Sequence, residues 1–182
     1  MSEYSIKVRR TDRQETDEAF LTELLNESVS CSIAIEKEGF PMMHVAFFVY
    51  DEANREVIFH FSKYGYAGQE ITDGKKVCVS VYKHGKLYTA NKAVDFGCEY
   101  QSVIIYGKLR IVTDEVEHME AMQVFFNKFF GHVPQDTYEP MTAAQAKPIY
   151  VAKIRIENWI GKQHLVPDVA LNNFYYPASP VI

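Results

Sequence analysis

The stretch PMMHVAFFVYDEANREVIFHFSKYG, residues 41–65, holds two apolar runs joined by a short polar link. Along the first run the odd positions are Met43, Val45, Phe47 and Val49, and the return run supplies Val57, Phe59 and Phe61. Side chains alternate across a strand, so these residues predict one continuous apolar face. The link Asp51-Glu52-Ala53-Asn54-Arg55 suits a hairpin loop. With the apolar faces matched, a one-residue slip would turn a strand over, so the register is fixed by parity. Pairing Tyr50 with Glu56 sets Phe47 opposite Phe59, Ala46 opposite His60 and His44 opposite Ser62. The second face then gathers His44, His60 and Ser62 at one end, beside Met42, Ala46 and Ile58. Two readings of that face stand, a solvated surface or the floor of a site. A charge at Phe47, on the core face, is expected to unfold the chain.

The rest of the chain builds outward from this hairpin. Thr16 or Asp17 caps a helix whose Phe20, Leu21, Leu24 and Leu25 fall on one side. Cys31–Ile35 reads as a strand that Glu38-Gly39 turns into the hairpin. Tyr64 to Gly74 is a short helix or turn. Val77, Val79 and Val81 alternate in a strand that Lys83–Lys86 ends, and Leu87–Gly97 mixes a strand start with a loop. Ser102–Val112 is the clearest later strand, with Val103, Ile105, Leu109 and Ile111 on one face. Gly107 within it marks a bulge or a close backbone approach. Asp114 with Glu117 starts a helix carrying a core-facing stripe of Met119, Met122, Phe126 and Phe129, and Gly131 stands at its end. Ile149–Ile156 is the last strand.

The 182 residues are read as one domain, with a core over 20–165, an N-terminal arm over 1–15 and a C-terminal tail over 166–182. Six or seven short antiparallel strands with peripheral helices predict a mainly β fold, a closed or nearly closed antiparallel barrel. Helical patterns do not alternate with strands, which disfavours parallel α/β.

A net charge of −5 without a sustained basic block argues against nucleic-acid or anionic-membrane partners. No stretch approaches the roughly 20 apolar residues of a membrane-spanning helix. Cys31, Cys78 and Cys98 are odd in number and lack a CxxC spacing, which predicts free thiols in a reducing cytoplasm. Among the six histidines no pair has zinc-ligand spacing, and no carboxylate joins His44 and His60, so no metal site is expected. No G-x-S-x-G elbow supports a serine nucleophile. An anion site has more support. The strand end His60-Phe61-Ser62-Lys63, followed by Gly65 and Gly68, offers a hydroxyl, an ammonium and free backbone N–H groups. A solvated Lys63 in an ordinary turn is the alternative.

The runs PMMHVAFFVYD (41–51), VIFHFSKYG (57–65) and KVCVSV (76–81) resemble the flavin-nucleotide-binding relatives of pyridoxamine 5′-phosphate oxidase, in particular the nitroimidazole-resistance branch. YQSVIIYGKL (100–109), the DEVEHMEAM helix after it and IRIENWIGK (154–162) resemble the same branch in order and spacing. The resemblance implies a six- to seven-stranded Greek-key split barrel, a homodimer holding FMN in two grooves at the subunit interface. It sets Met43, His44, Val45, Ala46 and Phe47 along the isoalloxazine, and His60, Phe61, Ser62 and Lys63 near the ribityl phosphate, with Lys76 close by. Tyr100 and Ser102 approach the same groove, and Lys162 lies at its rim. Departures are also legible: Ala67 stands where the family usually has a phosphate-binding lysine, Val45 replaces a common proline, Gln101 an arginine and Ile160 a threonine. Loss of the charged contact is expected to cost on the order of 1.5–3 kcal/mol, roughly ten- to a hundredfold in affinity.

The resemblance further implies an FMN-dependent oxidoreductase acting on a small molecule, nitroreductase-like in its branch, with His60 beside the flavin as the one catalytic candidate. The alternative is a dimer that holds a flavin, haem or other planar ligand without turnover. Pyridoxamine-phosphate oxidation itself is disfavoured, because the substrate-binding Arg and His pattern is missing from residues 163–182.

Overall fold

A computed structural model describes residues 8–166 and the two-residue strand at 173–174. Most of the tail and the first half of the N-terminal arm lie outside the described residues. In chain order the elements are β1 (Gln14–Glu15), α1 (Glu18–Glu27), β2 (Ser30–Lys37), β3 (Phe40–Asp51), β4 (Glu56–Ser62), α2 (Tyr66–Glu70), β5 (Lys76–Tyr88), β6 (Gly97–Ile111), α3 (Glu115–Phe130), α4 (Ala143–Ala146), β7 (Ile149–His164) and β8 (Asn173–Phe174). All strand pairs are antiparallel. The sheet runs β7-β4-β3-β2-β5-β6, and β6 pairs back onto β7, closing a six-stranded barrel. The two-residue strands β1 and β8 add to β7 and β5. The spatial order β5-β2-β3-β4 is a Greek key, in which α2 carries the chain across to β5. Among the described residues, no helix is long and apolar enough to cross a membrane.

Local chemistry explains the turns and caps. Glu38 and Gly39 both take positive φ, 50° and 83°, as a two-residue hairpin loop matched to strand twist requires. Asp17 caps α1 through the amide of Ala19, and Asp114 caps α3 through the amide of Glu117. Phe20, Leu21, Leu24 and Leu25 of α1 join the barrel core formed by Ile33, Phe48, Phe59, Val79 and Ile105.

The central hairpin departs from the parity reading. Asp51 pairs with Glu56 and Phe48 with Phe59, one residue off the register expected. The loop is Glu52–Arg55, tightened by Asp51 Oδ1 accepting from the Asn54 amide and by Arg55 at φ 53°. The inward residues of β3 are therefore Met42, His44, Ala46, Phe48 and Tyr50, while Met43, Val45 and Phe47 face out. Phe48 is 0% exposed and Phe47 60%. The pattern misled because both faces of β3 are apolar, so alternation alone cannot choose between them. Both faces of β4 are buried as well. Val57, Phe59 and Phe61 line the barrel, and Ile58 packs outward with Val49, Ala121, Met122 and Phe125 under α3.

Two smaller corrections follow the same logic. β5 does not end at Lys83–Lys86 but runs through a bulge to Tyr88. The buried stripe of α3 is Ala121, Met122 and Phe125, while Phe126 turns to Tyr138 at 6.3 Å, so this helix faces two partners rather than one. Gly107 is a close approach as expected, since a Cβ there would lie 2.2 Å from Arg155 O, beside a β6–β7 register shift. Lys128 fastens α3 just before β2 begins. Its Nζ donates to Ser28 O and Phe48 O, at 2.8 and 3.2 Å, and burial holds its pKa below the ordinary lysine value.

The observed register makes a clean prediction. Phe48→Ala should lower unfolding free energy by about 3–5 kcal/mol, whereas Phe47→Asp should leave the isolated chain folded at a cost below about 1 kcal/mol. Urea titration reads both, and a severe loss in the Phe47 variant would restore the parity register.

Candidate functional site

The β3–β4 ladder stops at Phe48–Phe59. Beyond it β3 stays with β2 as far as Lys37–Phe40, and β4 stays with β7 as far as Ser62–Ile149. The two strands part, and the barrel splits between them. The Phe48 amide donates to Val29 O on the β2 side. Backbone groups alternate along a strand, so the amide of Phe47 and the backbone groups of Val45 and Met43 point the other way, into the split, past the last rung of the β3–β4 ladder. Among the described residues no strand pairs with that edge. An open strand edge is a row of donors and acceptors ready for a partner.

His44 fills the top of the split. Its ring lies 6.0 Å from both Phe59 and Phe61, and its Nε2 is buried without a hydrogen-bond partner among the described residues. Beside it a cleft of about 340 Å³ is lined by Met42, Met43, His44, Phe61, Ser62 and the Gly65–Ala67 turn. Ser62 Oγ accepts from the Tyr64 amide at 3.2 Å and keeps its own proton to donate. Gly68 is dictated by packing: a Cβ there would sit 2.4 Å from the carbonyls of Ser62 and Lys63, so only glycine lets α2 close against the strand end.

His60 is not in this cleft. It keeps the outer face of β4, where Phe125 meets its ring edge-on at 4.7 Å and Nδ1 is buried without a hydrogen-bond partner among the described residues, while the observed register turns β3 over and carries His44 inward. His44 and His60 therefore point to opposite sides of the sheet, and the shared floor of His44, His60 and Ser62 is not formed. Lys63 also turns away, with Nζ 4.8 Å from the Tyr150 ring, lining a separate cleft with His118 and Lys147. Lys76 lines a third cleft, of about 350 Å³, with Phe40, Pro41, Cys78 and Tyr106. Tyr100, Ser102 and Lys162 are held elsewhere on the barrel, on β6 and β7, where Ser102 pairs directly with Lys162.

These groups are separate within one chain but border one surface. Outward-facing rows run Met43–Ala34–Cys78–Tyr106 and Val45–Ser32–Ser80–Ile104, small in the middle and large at the sides. Met43 and Val45 are 56% and 68% exposed, and Phe47 extends the patch to Phe129 of α3. Tyr82, Ser102 and Lys162 form the next row across β5, β6 and β7. No sequence motif marks Tyr82, and only the strand register shows it beside Ser102.

The split supplies an unpaired peptide edge, apolar walls and an imidazole nitrogen without a partner among the described residues, mostly apolar surface with a few convergent polar groups, as small-molecule sites have. For a phosphate, the cleft lining supplies the Ser62 hydroxyl and, at position 67, alanine.

Residues 17–163 match the family described as pyridoxamine 5′-phosphate oxidase. No match was found among curated proteins. Among solved structures, the chain is similar to the flavocytochrome Anf3 from Azotobacter vinelandii, with TM-score 0.81 and 19% identity over 98% of this chain and 87% of that one. It is similar to an FAD and heme binding protein from Mycobacterium smegmatis, with TM-score 0.76 and 17% identity over 93% and 90%. It is also similar to a putative 5-nitroimidazole antibiotic resistance protein from Bacteroides thetaiotaomicron, with TM-score 0.66 and 16% identity over 82% and 86%.

Burial holds both His44 and His60 below the ordinary histidine value of 6.5. Below about pH 6.5 the unfolded chain then binds more protons than the folded one, so stability is lost as pH falls towards the depressed folded values. The unfolding free energy should decline from about pH 7 to about pH 5, and His60→Phe should flatten that decline. A wild-type-minus-variant difference that is constant across the window would contradict the burial of a neutral His60.

Proposed function

This chain belongs to the pyridoxamine 5′-phosphate oxidase family, and on that premise we propose that it is a flavin-nucleotide-binding protein, FMN in the first instance, that works as an oxidoreductase on a small molecule. The observation that carries the reading is the split between β3 and β4, with its unpaired peptide edge and the orphaned Nε2 of His44. Met43, Val45 and Phe47 would hold the ring through their backbone groups, with His44 and Phe61 beneath, and Ser62 would donate to the phosphate. A bound flavin supplies hydride and electron chemistry; the chain's own part is to orient the ring, exclude water and leave one face open to a substrate. His60, under α3, serves packing in this reading rather than contact with the ring.

The exposed patch of Met43, Val45 and Phe47 supports a homodimer. A second copy on that face would bring its Tyr100, Ser102 and Lys162 towards the split and complete the groove. Three cysteines without disulfide partners support a reducing, cytoplasmic setting. The similarity to a putative nitroimidazole resistance protein supports nitroaromatic reduction as the first activity to assay. One observation favours a second reading, a planar-ligand carrier without turnover: an unpaired buried imidazole nitrogen is the kind of group that ligates haem iron. A Soret band in the purified protein, in place of flavin absorbance, would select it.

Quenching of FMN fluorescence tests the main reading. Saturable quenching is expected, with Ser62→Ala weakening it about tenfold and Lys63→Ala changing it less than about twofold, since its ammonium faces Tyr150. No quenching by the wild type would refute flavin binding. Separately, sedimentation should show a dimer for the wild type and a folded monomer for Phe47→Asp; a dimeric Phe47→Asp variant would move the interface elsewhere.

A further inference from the structure

On the outer face of the barrel the row Tyr82–Ser102–Lys162 is followed by the row His84–Tyr100–His164. The rings of Tyr82 and Tyr100 are nearly parallel, 20° apart in plane with centres 6.3 Å apart. Tyr100 neighbours His164 at 6.3 Å, and Tyr88 closes the far side with its hydroxyl 2.9 Å from His164 Nε2. From the 3-10 turn Thr11–Arg13, Arg13 reaches over this row, its Cζ 6.0 Å from the centre of the Tyr100 ring. Its Nε is buried and has no hydrogen-bond partner among the described residues.

The nearby acids spend their hydrogen bonds on other partners. Asp12 is taken by Arg10 through two hydrogen bonds of 2.8 and 2.6 Å. Glu99 is buried and accepts from the amides of Lys86 and Val166. His164 is held below its usual pKa, first by burial and then by the positive field of Arg13 and Arg10, so its neutral form is favoured and it offers Arg13 no counter-charge. What is left is a stretch of aromatic faces, with Tyr82 well exposed, under a guanidinium that has no ion-pair partner among the described residues. Tyrosine faces accept flat π systems. A guanidinium stacks on such systems and takes a carboxylate or phosphate in a two-pronged fork.

We propose that Tyr82, Tyr100 and Arg13 form a binding platform for a flat aromatic anion, its ring lying against the tyrosines and its carboxylate or phosphate taken by Arg13. This deepens the flavin reading, on which the role of that ligand as substrate rests; the binding itself needs no flavin. In a dimer of the kind described above, the platform would continue from the wall of Ser102 and Lys162, within the partner's reach.

The test is calorimetric titration of flavin-free full-length protein with 4-nitrobenzoate, adenosine 5′-monophosphate and neutral nitrobenzene. At least one of the two anions should bind one site per chain, and whichever saturates tells an aromatic acid from a nucleotide. Nitrobenzene should bind at least about tenfold more weakly than that anion, and Arg13→Gln and Tyr82→Ala should each weaken the anion about five- to tenfold. Tyr82 is exposed, so its removal leaves the fold to be verified by circular dichroism and keeps the test open if the Arg13 variant misfolds. Failure of both anions to bind, or binding indifferent to both substitutions, overturns the platform. Anion binding without FMN quenching sinks only the flavin reading, and FMN quenching without anion binding sinks only this one.

Discussion

A ladder that ends early governs this molecule. β3 and β4 share hydrogen bonds only from Asp51–Glu56 to Phe48–Phe59, and then each follows its other neighbour. A closed barrel would have left no edge. Parting the strands leaves one, and it must be managed: here by aromatic rings on one side, a half-buried histidine at the top and a glycine-tight turn at the bottom. Everything assigned to ligand recognition borders either that split or the outer face that continues from it.

The split survives because the rest of the barrel is well supported. β4 is buried on both faces, by the barrel core inside and α3 outside, so it does not need β3 along its whole length. Lys128 reinforces the arrangement just ahead of the start of β2, where its ammonium donates to Ser28 O and Phe48 O. A buried cation held by carbonyls and aromatic rings is costly to desolvate but hard to displace, which suits a helix that must stay seated on an otherwise exposed strand.

Much of the architecture was legible in the sequence because its signals were local. The Asp17 and Asp114 caps, the Glu38-Gly39 turn, the Val77–Val79–Val81 alternation and the close approach at Gly107 each report on a few neighbouring residues. The central register was not legible. β3 reads F-P-M-M-H-V-A-F-F-V-Y-D, apolar on both faces, and only the four-residue loop with Arg55 in the left-handed region decides which face turns inward. That single slip turned β3 over, moving His44 into the core rim and exposing Phe47, and left His60 alone on the outer face beneath α3. Family resemblance named its segments by their order and spacing, and it could not say which way each side chain pointed. Lys63 illustrates the gap: it is adjacent in sequence to Ser62, but a turn and the Tyr150 ring carry its charge to a different cleft. The Tyr82–Tyr100–Arg13 grouping was invisible for another reason, since its members come from three distant segments and meet only through strand register and the 3-10 turn before β1.

The central claim is that a flavin ring completes the sheet where β3 loses its partner. Backbone amide NMR on FMN addition tests it most directly. The account predicts large shifts and slowed hydrogen exchange at the amides of Val45 and Phe47, with smaller changes at Ala46 and Phe48, whose N–H groups face β2. Unchanged Val45 and Phe47 amides in FMN-saturated protein would contradict it.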